Sequence, residues 1–484
     1  MSTLPRPPAA ARRAPAPRTR YLAPLALALT AAAGCGGEAE APGPTGPQGW
    51  YPGVVYPTAR EPGARGWLER RGIIHAHSVY SHDACDGSPR DETTGAVNEP
   101  CFDTFRRGLC QSRHDFMLLT DHGSTFSSTE YPETLLYRAE RGDELVMRAG
   151  EPVASWAGCP DGTRALLAAG TETGTMPVGL ERHVAPTEAE RDAVYGAATP
   201  EAILLLQAAG GVALVSHTED WSVDELATLP LDGFEMYNLH ANVYTGAGGA
   251  FAIAGKLQTP ELLPHPDLIL LPIVNEDPIY LERWAGVLAR GVRRLTVMAT
   301  DCHANSFPQL LPDGERLDSY RRMMSSFSNH VLVADDGAGG FDDLALKEAL
   351  RAERLWGAFE MLGYPEGFDF RAELGGAVHE MGETVASGAE LVVELPAVRD
   401  LDPTVEAPEL SARILRAADG GWQVVADQPG DGVHYTASEP GAYRAEIRMV
   451  PRHLAPYLSS FASLASQSFV WIYTNAIYVA APPP

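Results

Sequence analysis

Gly72-Ile73-Ile74-His75-Ala76-His77-Ser78-Val79-Tyr80-Ser81-His82-Asp83 is the stretch on which the reading of this chain turns. An apolar run that ends in His-x-His places two imidazoles on one face of an extended strand, two residues apart, with further polar groups just beyond. Imidazole suits zinc, iron or manganese. A lone His-x-His is more often a structural pair, so the weight comes from what the rest of the chain repeats. Leu118-Leu119-Thr120-Asp121-His122 closes a second apolar run with an acid and a histidine. Gly170-Thr171-Glu172 closes a third, with Arg182-His183 downstream, and Val212 to His217 closes a fourth. Val297-Met298-Ala299-Thr300-Asp301-Cys302-His303 repeats the alternate spacing with a carboxylate and an imidazole. Histidine supplies only 14 of 484 residues, so its recurrence at the ends of four apolar runs is hard to credit to chance.

From Gly72 to about Tyr364 such runs alternate with helix-like stretches, the pattern of an α/β architecture with parallel strands. Expected strands are Gly72 to His77, Phe116 to His122, Ala165 to Glu172, Gly211 to His217, Gly233 to Asn238 and Leu295 to His303. Expected helices include Pro200 to Ala209, Pro278 to Arg290 and Phe341 to Arg354. Polar, metal-binding residue types gathered at strand C-terminal ends are what a barrel with its site on that face requires. Beyond about Pro365 the runs Glu390 to Leu395, Ala412 to Ala417, Gly421 to Ala426, Tyr443 to Met449 and Val470 to Ala480 are short and separated by Gly, Pro and Asp. They point to a β-rich, sandwich-like C-terminal domain.

The order His-x-His, Asp-His, Gly-x-Glu, His, His, Asp-x-His resembles the PHP family, the polymerase and histidinol phosphatase superfamily, over about Gly72 to Met361. The resemblance implies a distorted seven-stranded (β/α) barrel over residues 67–364, followed by the β-rich domain over 365–484. It also implies three divalent ions per chain, zinc first, with manganese or iron(II) as alternatives. One would be held by His75, His77, Glu172 and Asp301, with Glu172 bridging to a second on His183 and His217. The third would take His82, His122 and His303; in Ser81-His82-Asp83 either His82 or Asp83 could be the ligand, and Ile74 stands where many members have Asp. Two such ions about 3.5–4 Å apart would acidify a shared water and polarise an ester oxygen. Glu172, as the bridging carboxylate, is then central to catalysis, while Asp121 and His240 are candidates for proton transfer or ligand orientation.

Residues 1–34 carry five arginines and no acid, followed by a twelve-residue apolar run from Leu22 to Ala33, which is too short to span a bilayer and reads as a signal peptide. Ala32-Ala33-Gly34-Cys35 resembles a bacterial lipobox, which implies an acylated Cys35, a membrane attachment and a place in the cell envelope, periplasmic or at the cell surface. Residues 35–66 read as a Pro/Gly-rich tether. Removing the signal leaves 32 basic against 63 acidic residues, near −31, a charge that repels nucleic acid and anionic lipid. Cys85, Cys101, Cys110 and Cys159 are positioned to form two disulfides in any of three connectivities, whereas Cys302, between two candidate ligands, is expected to be a buried thiol.

Three functions compete. Three dications neutralise a phosphate dianion well, so a phosphoesterase acting on a small-molecule ester leads. The exported, acidic chain with its β-rich tail also resembles the branch that includes carbamate-hydrolysing enzymes, so a carbamate, amide or carboxylic ester hydrolase is the alternative. A metal-bearing binding lipoprotein without catalysis is the third.

Overall fold

The computed structural model describes residues 49–481 apart from 61, 92, 246 and 336–339, so the signal peptide, Cys35 and the first part of the tether lie outside the described residues. Eight strands position the polar residues singled out above: β1 (Trp67–Ala76), β2 (Phe116–Leu118), β3 (Asp121–His122), β4 (Arg164–Glu172), β5 (Met176–Leu180), β6 (Val212–Leu214), β7 (Gly233–Asn238) and β8 (Leu295–Cys302). β1 is buried on both faces from Arg70 onward, which is why its sequence there reads as a continuous run rather than an alternation. It lies parallel to β2 on one side and β8 on the other; β2 continues parallel to β4, and β8 to β7. Gly72 permits the close approach of β2, because a Cβ there would collide with the Phe116 carbonyl oxygen.

The expected parallel pairing holds for β1, β2, β4, β7 and β8 and fails at β5. β4 and β5 are antiparallel, as are β5 and β6. Only residues 173–175 join β4 to β5, enough for a hairpin and far too few for the crossover that parallel neighbours need. A further strand, Glu151–Gly158, also runs antiparallel to β4, and Ser328–Ala334 runs antiparallel to the first half of β1. The sheet is therefore mixed. β6 and β7 meet through Val215 N–H to Gly233 O (3.2 Å) and Asp232 N–H to Ala213 O (2.9 Å).

Strand ends differ from the sequence reading where ligand-type residues begin. The run expected from Phe116 to His122 breaks after Leu118 and resumes at Asp121, and β6 stops at Leu214, three residues short of His217. Helices keep their expected places: Pro200–Ala208 starts on a Thr199 side chain that accepts from Ala202 N–H, Pro278–Ala289 starts on Asp277, and Asp343–Arg351 starts on Asp342. In the first two, proline occupies the first turn, where its missing N–H costs nothing.

The C-terminal part is β-rich. Phe469–Thr474 pairs antiparallel with Leu355–Ala358, so these later strands extend the same sheet, and the run expected from Val470 to Ala480 is two strands with Asn475 between them. Asn475 acts as a piece of backbone: its Oδ1 accepts from Thr296 N–H and its Nδ2 donates to Thr296 O, both at 2.8 Å. A separate four-stranded sheet holds Asp369–Leu374, Ala377–His379, Ala389–Glu394 and Val433–Ala437. The described end of the expected tether runs along this body, with Trp50 and Tyr56 buried and the Tyr56 carbonyl accepting from the Arg71 guanidinium. No described helix is long and apolar enough to cross a membrane.

Of the three open disulfide connectivities, Cys85–Cys101 and Cys110–Cys159 are formed, and Cys302 is a free, buried thiol whose burial pushes its pKa up to about 12. Cys85–Cys101 staples the loop after β1 to the helix Glu99–Ser112. Closing a loop of that length limits the unfolded chain by about 3 kcal/mol. The stapled loop carries Asp83.

Candidate metal centre

Three of the convergent side chains sit on backbone that L-residues rarely adopt. His75 has φ 70°, His217 φ 49° and Asp301 φ 48°. Each left-handed residue of this kind costs about 1–3 kcal/mol and persists only where the surroundings impose it. At His75 the imposing contacts are visible: the β1–β8 register shifts between Ile74 and Ala76, and Thr300 Oγ1 donates to the His75 carbonyl at 2.6 Å. The simple strand face inferred from His-x-His is thus a bulge, and the bulge turns His75 and His77 toward a common point.

That point is defined by four buried atoms. His75 Nε2 and His77 Nε2 lie 3.1 Å apart; each is 3.2 Å from Asp301 Oδ1 and 3.4 Å from Glu172 Oε2. A tetrahedral zinc site with bonds of about 2.0–2.1 Å has ligand-to-ligand edges of about 3.3–3.4 Å. The five measured edges match that spacing closely. Two imidazole nitrogens aimed at each other beside two carboxylates also make poor sense as a hydrogen-bond pair alone. The donor set and spacing therefore fit a divalent ion.

Two more groups adjoin the first. Asp83, His122, His303 and His77 form one: His122 Nε2 is 2.9 Å and His303 Nε2 3.4 Å from Asp83 Oδ2. His240, Asp301 and His303 form the other, with His240 Nδ1 at 3.3 Å from Asp301 Oδ2. His217 Nε2 stands 3.3 Å from both Glu172 Oε1 and Asp301 Oδ2. Glu172 thus turns one oxygen to the first group and the other to His217. Asp301 does the same, although Glu172 alone was expected to bridge. Because the groups share His77, Asp301 and His303, they overlap rather than count ions.

Two sequence assignments are corrected. Of the alternatives His82 and Asp83, Asp83 joins the cluster; His82 is exposed and lays its ring against His122, centroids 4.7 Å apart. His183 is not with His217: its Nδ1 meets Tyr195 Oη at 2.9 Å and its Nε2 donates to the Thr129 carbonyl at 2.8 Å. The reason is the hairpin. Glu172 closes β4, but the chain reverses at once into β5 and delivers His183 beyond it, against Phe126 and Tyr131. His240, a candidate from the sequence for proton transfer or orientation, lies with its Nδ1 3.3 Å from Asp301 Oδ2.

Glu235 was missed. It is fully buried in the middle of β7, where an acid reads as an anomaly in an apolar run, and that anomaly was the available signal. Its Oε1 accepts from His75 Nδ1 at 2.6 Å, and its Oε2 accepts from His217 N–H at 2.9 Å and Asn238 Nδ2 at 3.1 Å. It therefore fixes the His75 tautomer that leaves Nε2 facing the cluster. Glu219 does the same for His217, with Oε1 3.1 Å from Nδ1. Asp121 lies behind His77 and accepts from Ser78 N–H (2.6 Å) and Ser78 Oγ (2.8 Å); burial raises its pKa to about 6 against the pull of those bonds. Asp121 holds the turn after His77 and does not enter the ligand groups.

Burial by itself would push the pKa values of Glu172 and Asp301 up, yet the surrounding histidines hold both well below the ordinary carboxylate range. Burial likewise opposes a charged His77, but hydrogen bonds to Asp301 and Glu172 lift it to about 10. His303 behaves oppositely: burial, with His77 beside it, lowers it to about 3. The carboxylates are anionic at neutral pH, the form that binds a cation, and among the described residues their ion pairs are all with histidines.

No protein-family model matches the chain, and no curated protein matches it. Among solved structures the chain is similar to a two-domain protein containing a predicted PHP-like metal-dependent phosphoesterase from Bacteroides vulgatus, at 11% identity over 87% of this chain and 99% of that one, with a TM-score of 0.31. At that score the likeness carries no weight, and the site stands on its own geometry.

Proposed function

We propose that this chain is a metal-dependent hydrolase of the PHP type that cleaves phosphate esters. The observation that carries the reading is the pair Glu172 and Asp301, each offering its two oxygens to two different histidine groups. Carboxylates split in this way hold two dications close together, the arrangement that serves in-line displacement at phosphorus. The order β6-β5-β4-β2-β1-β8-β7, with the contacts between β6 and β7, supports a distorted seven-stranded barrel with the cluster at its strand ends.

His75, His77, Glu172 and Asp301 would hold one ion; Asp83, His122 and His303 another; and His217 with the remaining oxygens of Glu172 and Asp301 a further one. Zinc is the first choice by donor set, manganese and iron(II) following. Bound ions supply Lewis acidity to the water and the ester oxygen. The chain's own residues do the rest: Glu235 and Glu219 lock imidazole tautomers, and Asp121 fixes the turn that aims His77. His240, partly exposed and in edge contact with His303, would pass a proton to the departing oxygen.

A second reading, hydrolysis of a carbamate or carboxylic ester, is favoured by the acidic chain and by the absence of arginine or lysine partners to the cluster carboxylates among the described residues. Metal-reconstituted protein assayed on phenyl phosphate, a phosphodiester and an aryl carbamate decides: phosphate ester cleavage is expected, carbamate cleavage alone would replace the leading reading, and tight metal binding with no turnover on any would leave a binding protein. The chain is further proposed to be exported and lipid-anchored through Cys35.

A further inference from the structure

The side chains that close the cluster on one flank also form the wall of an apolar recess, and nothing in the hydrolytic reading uses it. His240 and His303 line it on the cluster side; Leu239, Val243, Leu270, Ile273, Phe307 and Met323 line it elsewhere. These six come from separate parts of the chain: the helix Leu239–Thr245, the stretch around the short turn Leu271–Ile273, the loop after β8 and the helix Tyr320–Met324. Leu270 and Ile273 are buried at the edge of the main core, while Phe307 is only partly covered.

Asp318, also on the lining, is already spoken for. Its Oδ2 accepts from Ser306 N–H at 2.8 Å and Phe307 N–H at 2.6 Å, and its two oxygens pair with the Arg316 guanidinium. It shapes the loop that carries Phe307 and offers no cation a free site. Its charge, with Asp301 behind His240 and His303, disfavours an anionic occupant. Ser306 also lines the recess, and its Oγ already donates to Asn305 Oδ1 at 2.7 Å. A lining this apolar beside a polar reactive cluster favours an alkyl group over one that carries hydroxyls.

Resting on the hydrolytic reading above, we propose that this recess is the specificity pocket for the departing group of the ester, and that the group it takes is a short, uncharged, apolar alkyl chain. The cavity volume of about 30 Å³ sets the size. One water needs about 10–15 Å³, so the recess takes about two or three carbon atoms and is too small for a sugar ring. Each methylene placed there should raise kcat/KM about fourfold by area burial, until the recess is full.

The experiment has two arms on the full chain. Metal-loaded protein is assayed on methyl, ethyl, propyl, butyl and hexyl phosphate and on glycerol phosphate. Metal-free protein is titrated with 4,4,4-trifluorobutanol, followed by fluorine NMR. Expected are a rise from methyl to propyl, little further gain at butyl or hexyl, poor turnover of glycerol phosphate, and saturable binding of the fluorinated alcohol. Ile273→Ser should lower kcat/KM on propyl phosphate more than on methyl phosphate and so flatten the chain-length rise, and Phe307→Ala, at a partly exposed position that tolerates loss, should shift the optimum to longer chains. Turnover that is the same from methyl to propyl, or glycerol phosphate cleaved as well as propyl phosphate, overturns the pocket while the hydrolytic reading stands. No turnover on any ester, with alcohol binding that Ile273→Ser abolishes, overturns the phosphoesterase reading and keeps the recess as an apolar ligand site.

Discussion

Glu235→Gln is the perturbation that probes the cluster most directly, because it changes neither a ligand atom nor the side-chain shape. The carboxylate is fully buried and satisfies His75 Nδ1 with one oxygen and the His217 N–H and Asn238 Nδ2 with the other. Glutamine keeps one accepting oxygen. Its amide nitrogen must then face an N–H on whichever side it occupies, and a charge-assisted hydrogen bond becomes donor against donor. Such a bond is worth about 1.5–3 kcal/mol. At about 1.4 kcal/mol per tenfold, that loss weakens metal binding by about 10–100-fold, the size usual for removing the partner of a liganding imidazole. Glu235→Asp keeps the charge but withdraws the carboxylate by about 1.5 Å, one carbon–carbon bond, so it cannot reach both histidines and should fail similarly. Chelator competition for zinc on the full chain, with circular dichroism to verify folding, measures both variants. If Glu235→Gln binds zinc as tightly as the parent chain, Glu235 does not set the His75 tautomer and the account of its role is wrong.

Glu172→Gln and Asp301→Asn should each loosen more than one ion, since both carboxylates face two groups, whereas His303→Ala should leave the four-atom group around His75 loaded; plasma emission metal counts on purified variants distinguish these outcomes. His114 is buried beside Arg71, its Nε2 without a hydrogen-bond partner among the described residues, and burial followed by that guanidinium lowers its pKa to about 3. The unfolded chain protonates this ring near pH 6.5 and the folded chain only near the lower value, so stability falls as pH drops below 6.5, by up to about 1.4 kcal/mol per unit. Urea midpoints at pH 7 and 5 should therefore differ less in His114→Gln than in the parent. Gly170→Ala drives a Cβ into the Pro177 and Leu119 carbonyls on both flanks of β4, two residues before Glu172. A loss of about 3 kcal/mol by overpacking is expected in urea titration, with reduced metal content. Cys35→Ser should move the expressed protein from the detergent phase to the aqueous phase; unchanged partitioning of the processed variant would remove the lipid anchor from the account.

Much of the cluster was legible because metal-binding residue types are rare in apolar runs. His75, His77, His122, Glu172, His217, Asp301 and His303 all arrive where strand-like runs end, and all seven converge. The failures share one cause. His183 follows Glu172 closely in the chain but lies across a hairpin, and hairpin formation depends on whether β5 pairs with β4, a non-local choice that local pattern does not record. Glu235 was passed over because pattern reading counts an acid within a strand as noise, and only its contacts with His75 and His217 show otherwise.

The sequence by itself determined the mixed α/β character, the β-rich tail, the places of the helices and the residue types that face the cluster, since periodicity, capping side chains and apolar run length act within a few residues of chain. The tertiary structure decided the antiparallel members of the sheet, the pairing of the four cysteines, the choice of Asp83 over His82 and the double reach of Asp301. Each of these depends on which distant segments meet and at what register, and a shift of one residue in register turns a side chain to the opposite face, so such outcomes are set by packing of the whole sheet rather than by any one stretch of it.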